Sequence, residues 1–232
     1  MNRLIFPEIL RGNVTAFFTG KDPGAAVGEI AAMLRIQKGS IYLPIQRHTD
    51  KIVVLEASRE PKIADAVVTR EKGILIGVQV ADCVPILIWE KEKGVFAAVH
   101  AGWRGTAARI LIKTVSGITE RFAGRPENVL IAIGPSIKGC CYAVDHEVAE
   151  AVRKGTGGGD YCSEKGGKYF LDLPHANSLQ AMSAGIPRAN IWVSDECTFC
   201  NPGRFYSYRY SKGSTGRQAA FIGRLDREFL PR

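Results

Sequence analysis

The feature that most constrains this chain is a series of short, mostly apolar runs. Residues 63–69, Ile74–Val80, residues 85–89 and residues 95–99 follow one another with only brief polar breaks between them. Runs of about four to eight apolar residues bounded by turn residues are too short for typical helices. They are too continuous for strands with one wet face, so both faces must be covered. Residues 14–18, residues 52–55 and Val129–Ile133, the last ended by Gly134 and Pro135, read as further strands. Residues 171–173, Ile191–Val193, residues 205–210 and residues 218–222 are predicted as late strands.

Helical spacing is rarer. Ala107, Ile110, Leu111, Thr114, Val115, Ile118 and Phe122 fall on one face and predict an amphipathic helix after the Gly102–Gly105 turn. Residues 25–35, with Asp22 and Pro23 as a start signal, predict another helix. Residues 145–154, with Asp145 as N-cap, predict a third. Residues 154–168 contain Gly157, Gly158 and Gly159 and read as a mobile loop, not a boundary, because too few residues follow to build a second core. The expectation is one domain over residues 1–232, of α/β (α+β) class, with many strands and few helices.

Composition narrows the class. The chain has 232 residues, 46% hydrophobic and 23% charged, which excludes a wholly disordered chain and a small disulfide-stapled scaffold. Lysine and arginine total 31 against 23 acidic residues, a formal charge of +8, so an anionic ligand is plausible but not required. No stretch reaches the roughly 18 apolar residues of a membrane helix. The first residues lack the apolar core of a secretory signal, so a cytoplasmic, reducing location is expected. The six cysteines then read as buried side chains, metal ligands or nucleophiles.

Of four histidines, His48 and His100 sit at edges of apolar runs beside turn residues. Cys83 lies at a break between two of the predicted strands. Two chemistries fit these three residues. Together they can bind zinc and leave a fourth position open for water. Alternatively, Cys83 is a nucleophile with His100 as base and Asp82 as the orienting group. The gaps between them are too long for a zinc finger, and the same groups serve both chemistries, so both stay open.

The segment His100-Ala101-Gly102-Trp103-Arg104-Gly105-Thr106 adds a Gly-punctuated turn before a helix. Gly102 and Gly105 permit close backbone approach, and Arg104 is a fixed fork for phosphate or carboxylate. Trp103 can stack on a flat ring or sit in the core. Cys197 and Cys200 form a C-x-x-C pair without a second pair at finger spacing. Cys140 and Cys141, being adjacent, read as poor partners for the same ion, so burial is the expectation for all four. His146 and His175 are given no role.

Several motifs occur in order: Gln46-Arg47-His48, Asp65-Ala66-Val67-Val68-Thr69, Ala81-Asp82-Cys83-Val84-Pro85 and Val99-His100-Ala101-Gly102-Trp103-Arg104-Gly105-Thr106. Gly134-Pro135-Ser136-Ile137, Cys141-Tyr142-Ala143-Val144, Leu171-Asp172-Leu173, Cys197-Thr198, Phe205-Tyr206-Ser207-Tyr208-Arg209 and Gly216-Arg217 follow. From about residue 14 to residue 222 the chain resembles the laccase-domain or polyphenol oxidase-like family, reassigned as purine nucleoside phosphorylases with adenosine deaminase activity. The resemblance implies a layered α/β/β/α fold grouped with cysteine hydrolases, and zinc on His48, Cys83 and His100. It implies phosphorolysis of adenosine, inosine and methylthioadenosine, and deamination of adenosine to inosine. Purine nucleosides and inorganic phosphate are the partners it implies, to a monomer or homodimer.

On that reading Arg104 and the turn hold phosphate with help from Arg47, and Asp82 carries a proton or supports a metal-bound histidine. Two departures stand out. Thr49 replaces a usual glycine, and Ala143 replaces a usual acidic residue. The alternatives are a cysteine hydrolase with a Cys83/His100 dyad acting on an amide or ester, such as a peptidoglycan precursor, and a copper-dependent phenol oxidase. The only methionines, Met1, Met33 and Met182, are remote in sequence from the motifs, which weakens the copper reading. A nucleic-acid-binding module, suggested by the charge and the aromatic-basic residues 204–217, has no recognised motif behind it.

Overall fold

A computed structural model of the protein describes residues 4–225. The chain opens with β1 (Leu4–Ile5), β2 (Thr15–Thr19) and α1 (Val27–Leu34). Next come β3 (Ile41–Tyr42), β4 (Ile52–Val54), β5 (Ala66–Thr69), β6 (Ile74–Val80), β7 (Val84–Glu90) and β8 (Val95–Ala101). Two helices follow, α2 (Trp103–Ala107) and α3 (Ile110–Phe122), and then β9 (Val129–Ile133). The remainder is β10 (Ala143–Val144), α4 (His146–Thr156), β11 (Cys162–Lys165), β12 (Lys168–Leu171), α5 (Leu173–Ser183), β13 (Ile191–Val193) and β14 (Gln218–Arg224).

The strands form one sheet of order β1-β2-β14-β6-β3, one of order β13-β9-β7-β8-β5-β4, and a small sheet β10-β12-β11. The period of two along each strand explains how the large sheets stack. In β8, Phe96 and Ala98 face the layer between the sheets, with Phe18, Ile76, Val78, Leu87, Ala132 and Ile222. Ala97 and Val99 face the other way, onto Ile110, Leu111, Val115 and Ile118 of α3. In the first sheet, Phe17, Leu75 and Phe221 point outward onto Ile30 and Leu34 of α1. The result is the α/β/β/α layering implied by the resemblance. It also accounts for the mostly apolar runs, since every strand in the middle of either sheet is covered on both faces.

Most predicted strands are found, but several boundaries differ. The helix after Gly102 is two helices, because Arg109 adopts a left-handed conformation (φ 62°). Residues 205–210 form a bend and an irregular stretch leading into a turn at 208–210, not a strand. Leu171 ends a strand, but Asp172 caps the start of α5 by accepting a 2.9 Å hydrogen bond from the His175 N–H. The sequence pattern hides α5 because its buried face includes Asn177, Ser178 and Gln180. Asn177 Nδ2 and Gln180 Nε2 donate to the hydroxyl and carbonyl of Thr106, tying α5 to α2.

The predicted loop at 154–168 is largely ordered structure. Helix α4 runs to Thr156, and β11 and β12 form a hairpin. Helix α1 is capped at Ala26, without a side-chain hydrogen bond, and not at Asp22 or Pro23. Asp145 does precede α4, but it accepts through its backbone carbonyl, from Val148 and Ala149. Among the described residues no helix is long and apolar enough to cross a membrane.

Leu87 is fully buried between the sheets. Leu87→Ala should lower the unfolding free energy by about 2–5 kcal/mol in urea denaturation, through lost burial and the cavity left behind.

Candidate active site

The site grows out of three strand ends. In β8, His100 alternates with Phe96 and Ala98, so it points into the layer between the sheets at its rim. Pro85 of β7 lies opposite His100, which puts Cys83, two residues earlier, beside the turn after β8. Asp65 immediately precedes β5, and its carbonyl accepts the His100 N–H at 2.7 Å. His48 comes from the loop between β3 and β4 and is held in a left-handed conformation, φ 58°. That conformation is costly for a residue with a Cβ and persists only where the surroundings impose it.

Asp65 imposes it. This fully buried carboxylate accepts the backbone N–H groups of Arg47, His48 and Thr49 at 3.2, 3.0 and 2.6 Å. The Thr49 hydroxyl adds a donor at 2.7 Å. Thr49, one of the departures from the family pattern, therefore strengthens the hold on the turn. The same carboxylate accepts from His100 Nδ1 at 2.8 Å, which directs Nε2 of that ring outward. Burial pushes the Asp65 carboxyl up, but the donors from His100 and Thr49 prevail and hold it well below the usual carboxylate range.

One nitrogen each of His48 and His100 and the Cys83 sulfur lie within 4.8 Å of one another. Cys83 Sγ is 4.0 Å from His48 Nε2, and the two imidazole rings meet edge to face at 4.8 Å. Burial pushes the Cys83 thiol up. The charge and hydrogen bond of His100, joined by His48, outweigh it and bring the thiol down to about 6. Burial pulls His100 down, yet the Cys83 thiolate and the Asp65 carboxylate raise it to about 9. The lowered thiol and two imidazoles make a donor set suited to a transition metal with an open fourth position, and His100 releases its proton when it ligates. Gly102 completes the fit: a Cβ there would lie 2.9 Å from Cys83 Sγ, so only glycine lets the turn pass this close.

These residues floor a cavity of about 730 Å³, a size suited to a small molecule. Trp103, Arg104, Tyr142, Tyr208, Arg209 and Arg217 are on its walls. The Arg104 guanidinium stacks on Trp103, 4.3 Å from the ring centroid, and Arg209 lies over Tyr142 at 5.1 Å. Arg209 Nη1 also donates to the Ala143 carbonyl at 2.7 Å. The second departure, Ala143, thus meets this arginine through its backbone.

Four expectations need correction. Asp82 is on the wall, but Thr198 Oγ1 (2.6 Å) and the Arg209 N–H (2.7 Å) take up its two carboxylate oxygens. It braces two loops, and the partner of the buried histidine is Asp65. Arg47 is not among the cavity-lining residues; its backbone N–H is its link to Asp65. Gly105 lies outside the cavity, where an added Cβ would press on Ile110 and the His100 carbonyl. Cys140, Cys141, Cys197 and Cys200, read as unrelated buried residues, come together with their sulfurs within 4.8 Å of one another. A backbone bridge between Ser136 and Cys197 aligns the two loops that carry them. Asp65, Arg209 and Arg217 belong to motifs visible in the sequence, but nothing local in those motifs tells which side chain turns inward.

The family model described as multi-copper polyphenol oxidoreductase laccase matches residues 22–225, and the chain belongs to this family. It is 40% identical over 165 residues to a protein named purine nucleoside phosphorylase YlmD from Geobacillus stearothermophilus, covering 70% of this chain and 60% of that one. The chain thus matches less than two thirds of that relative's length. A protein named adenosine deaminase RL5, from an unknown prokaryotic organism, is 34% identical over 203 residues, 81% of this chain and 76% of that one. The crystal structure of YlmD from Geobacillus stearothermophilus superposes with a TM-score of 0.87 at 31% identity, covering 93% of each chain. YfiH of Bacillus licheniformis, described as a hypothetical protein, gives 0.86 at 28% identity, covering 92% of this chain and 93% of that one.

Because one carboxylate holds the His48 turn and the His100 ring, Asp65→Asn should weaken the affinity of His48, Cys83 and His100 for added zinc, used as a probe, by about 10- to 100-fold, measured by competition with a chromogenic chelator. Gly102→Ala should weaken it too. Unchanged affinity in both variants would place control of the donor set elsewhere.

Proposed function

We propose that the protein is a zinc-dependent purine nucleoside enzyme. It cleaves adenosine, inosine and methylthioadenosine with phosphate to free base and sugar 1-phosphate, and it deaminates adenosine to inosine. The observation that carries this reading is the meeting, in one cavity, of a His48–Cys83–His100 donor set with three arginines and several aromatic rings. The names of the two relatives point the same way.

His48, Cys83 and His100 would hold the zinc, which when bound lowers the pKa of a water toward neutrality. The remaining roles belong to the chain itself. Asp65 keeps His100 in the tautomer that presents Nε2 to the cavity. Arg104, Arg209 and Arg217 supply the positive charge that holds a phosphate dianion near the sugar. Trp103, Tyr142 and Tyr208 offer flat or amphipathic surface to a purine. Burial, together with the nearby Cys83 thiolate, pushes the Tyr142 phenol up to about 12, so it stays protonated and can donate to the ligand. In phosphorolysis the base leaves as a phosphate oxygen bonds to the anomeric carbon, and the arginines fix that oxygen's position. Copper is the less favoured metal, since neither Met33 nor Met182 lines this cavity as an axial ligand would.

A cysteine hydrolase is the second reading, favoured by the lowered Cys83 thiol beside His100. The two readings part under inhibition: a chelator abolishes a zinc enzyme, whereas iodoacetamide abolishes a Cys83 nucleophile in metal-free protein.

Chromatography of adenosine incubated with the protein should show adenine only when phosphate is present, and inosine with or without it. No product in either case would refute the nucleoside reading. Arg104→Ala should raise the phosphate KM by about tenfold, the loss of one charge-assisted contact of roughly 1.4 kcal/mol. His100→Ala should abolish turnover and remove zinc from this set.

A further inference from the structure

Outside the cavity, the thiols of Cys140, Cys141, Cys197 and Cys200 gather at one point with all sulfurs within 4.8 Å of one another. Cys141 Sγ is 3.3 Å and Cys140 Sγ 3.7 Å from Cys200 Sγ. A disulfide requires about 2.05 Å, so these are separate thiols. A zinc ion with four Zn–S bonds of about 2.3 Å places its sulfurs about 3.8 Å apart in a tetrahedron. The observed spacing brackets that value.

The backbone explains how neighbours in sequence serve one centre. Cys140 and Cys141 sit on a tight turn closed by the Cys141 and Tyr142 N–H groups, both donating to the Lys138 carbonyl at 3.0 Å. Cys197 and Cys200 span a second turn, closed by the Asn201 N–H on the Cys197 carbonyl at 3.1 Å. The backbone N–H groups of Lys138 and Cys200 are directed at Cys197 Sγ. Amide donors aimed at a sulfur are the usual support of a metal-bound thiolate.

We propose that these four cysteines bind a second, structural zinc ion. Four protein sulfurs leave no open position, the mark of a structural site. The sulfurs are too close together to surround the several atoms of an iron–sulfur cluster, so a single ion fits. Binding releases the thiol protons and converts four crowded soft donors into one closed centre. The ion clamps the loop carrying Tyr142 to the loop carrying Thr198. Tyr142 lines the cavity, and Thr198 holds Asp82, next to Cys83. The site thereby supports the cavity wall from behind, whatever the cavity binds.

The test is metal analysis of the full chain purified under reducing conditions. The wild-type chain should carry about two zinc ions, and His100→Ala about one. The double variant C140S/C200S should also carry about one. Cys140 and Cys200 are both at the surface, so this variant leaves the core intact. Cobalt loaded into His100→Ala should give the intense absorption of a tetrahedral thiolate centre, and adding C140S/C200S should remove it. The proposal is overturned if His100→Ala holds no metal, if C140S/C200S keeps as much zinc as its parent, or if all four thiols react at once with a thiol reagent in native wild-type protein.

Discussion

The Asp65 carboxylate is the interaction on which the candidate site depends. It is fully buried, and it accepts from three consecutive backbone N–H groups, the Thr49 hydroxyl and the His100 ring. A buried carboxylate is tolerable only when its lone pairs are filled in this way. In being filled it does two things. It locks the loop before β4 so that His48 stays in a left-handed conformation, and it fixes which nitrogen of His100 faces the cavity. One buried side chain thus holds the His48 backbone in place and orients the His100 ring.

The fold makes that position available. Two sheets stacked face to face bury their inner strands on both sides, and the dry layer between them ends at a rim. Residues with the inward parity at the last turn of β8 and just before β5 and β7 must face that rim. There a polar group can be desolvated by the core on one side and reach a cavity on the other. His100, Asp65 and Cys83 occupy those positions. The opposed effects on Cys83 follow from the same place: burial raises its thiol, and the neighbouring histidines outweigh burial and bring it down.

Much of the strand content was legible in the sequence because burial on both faces leaves continuous apolar runs, as in Ile74–Val80 and residues 95–99. Helix α5 was not, because Asn177 and Gln180 are buried through hydrogen bonds to Thr106 and so erase the apolar stripe. The aromatic residues 205–210 looked like a strand from composition, yet they form a bend and a turn that bring Arg209 over Tyr142. At the site, His48, Cys83 and His100 stood out as chemically unusual residues beside turns. Adjacency to Cys83 in sequence made Asp82 a candidate partner for the histidine, but Asp65 holds His100, and Thr198 and Arg209 reach the Asp82 carboxylate from far along the chain.

By itself the sequence determined the α/β class, most of the strands and the residue types able to bind a metal, because these depend on local periodicity and side-chain chemistry. Tertiary structure alone decided which acid orients which histidine, which arginines enter the cavity, and that two pairs of cysteines distant in sequence share one point. Those outcomes rest on strand register and loop pairing, which bring together groups separated by many residues. No local pattern along the chain encodes such distances.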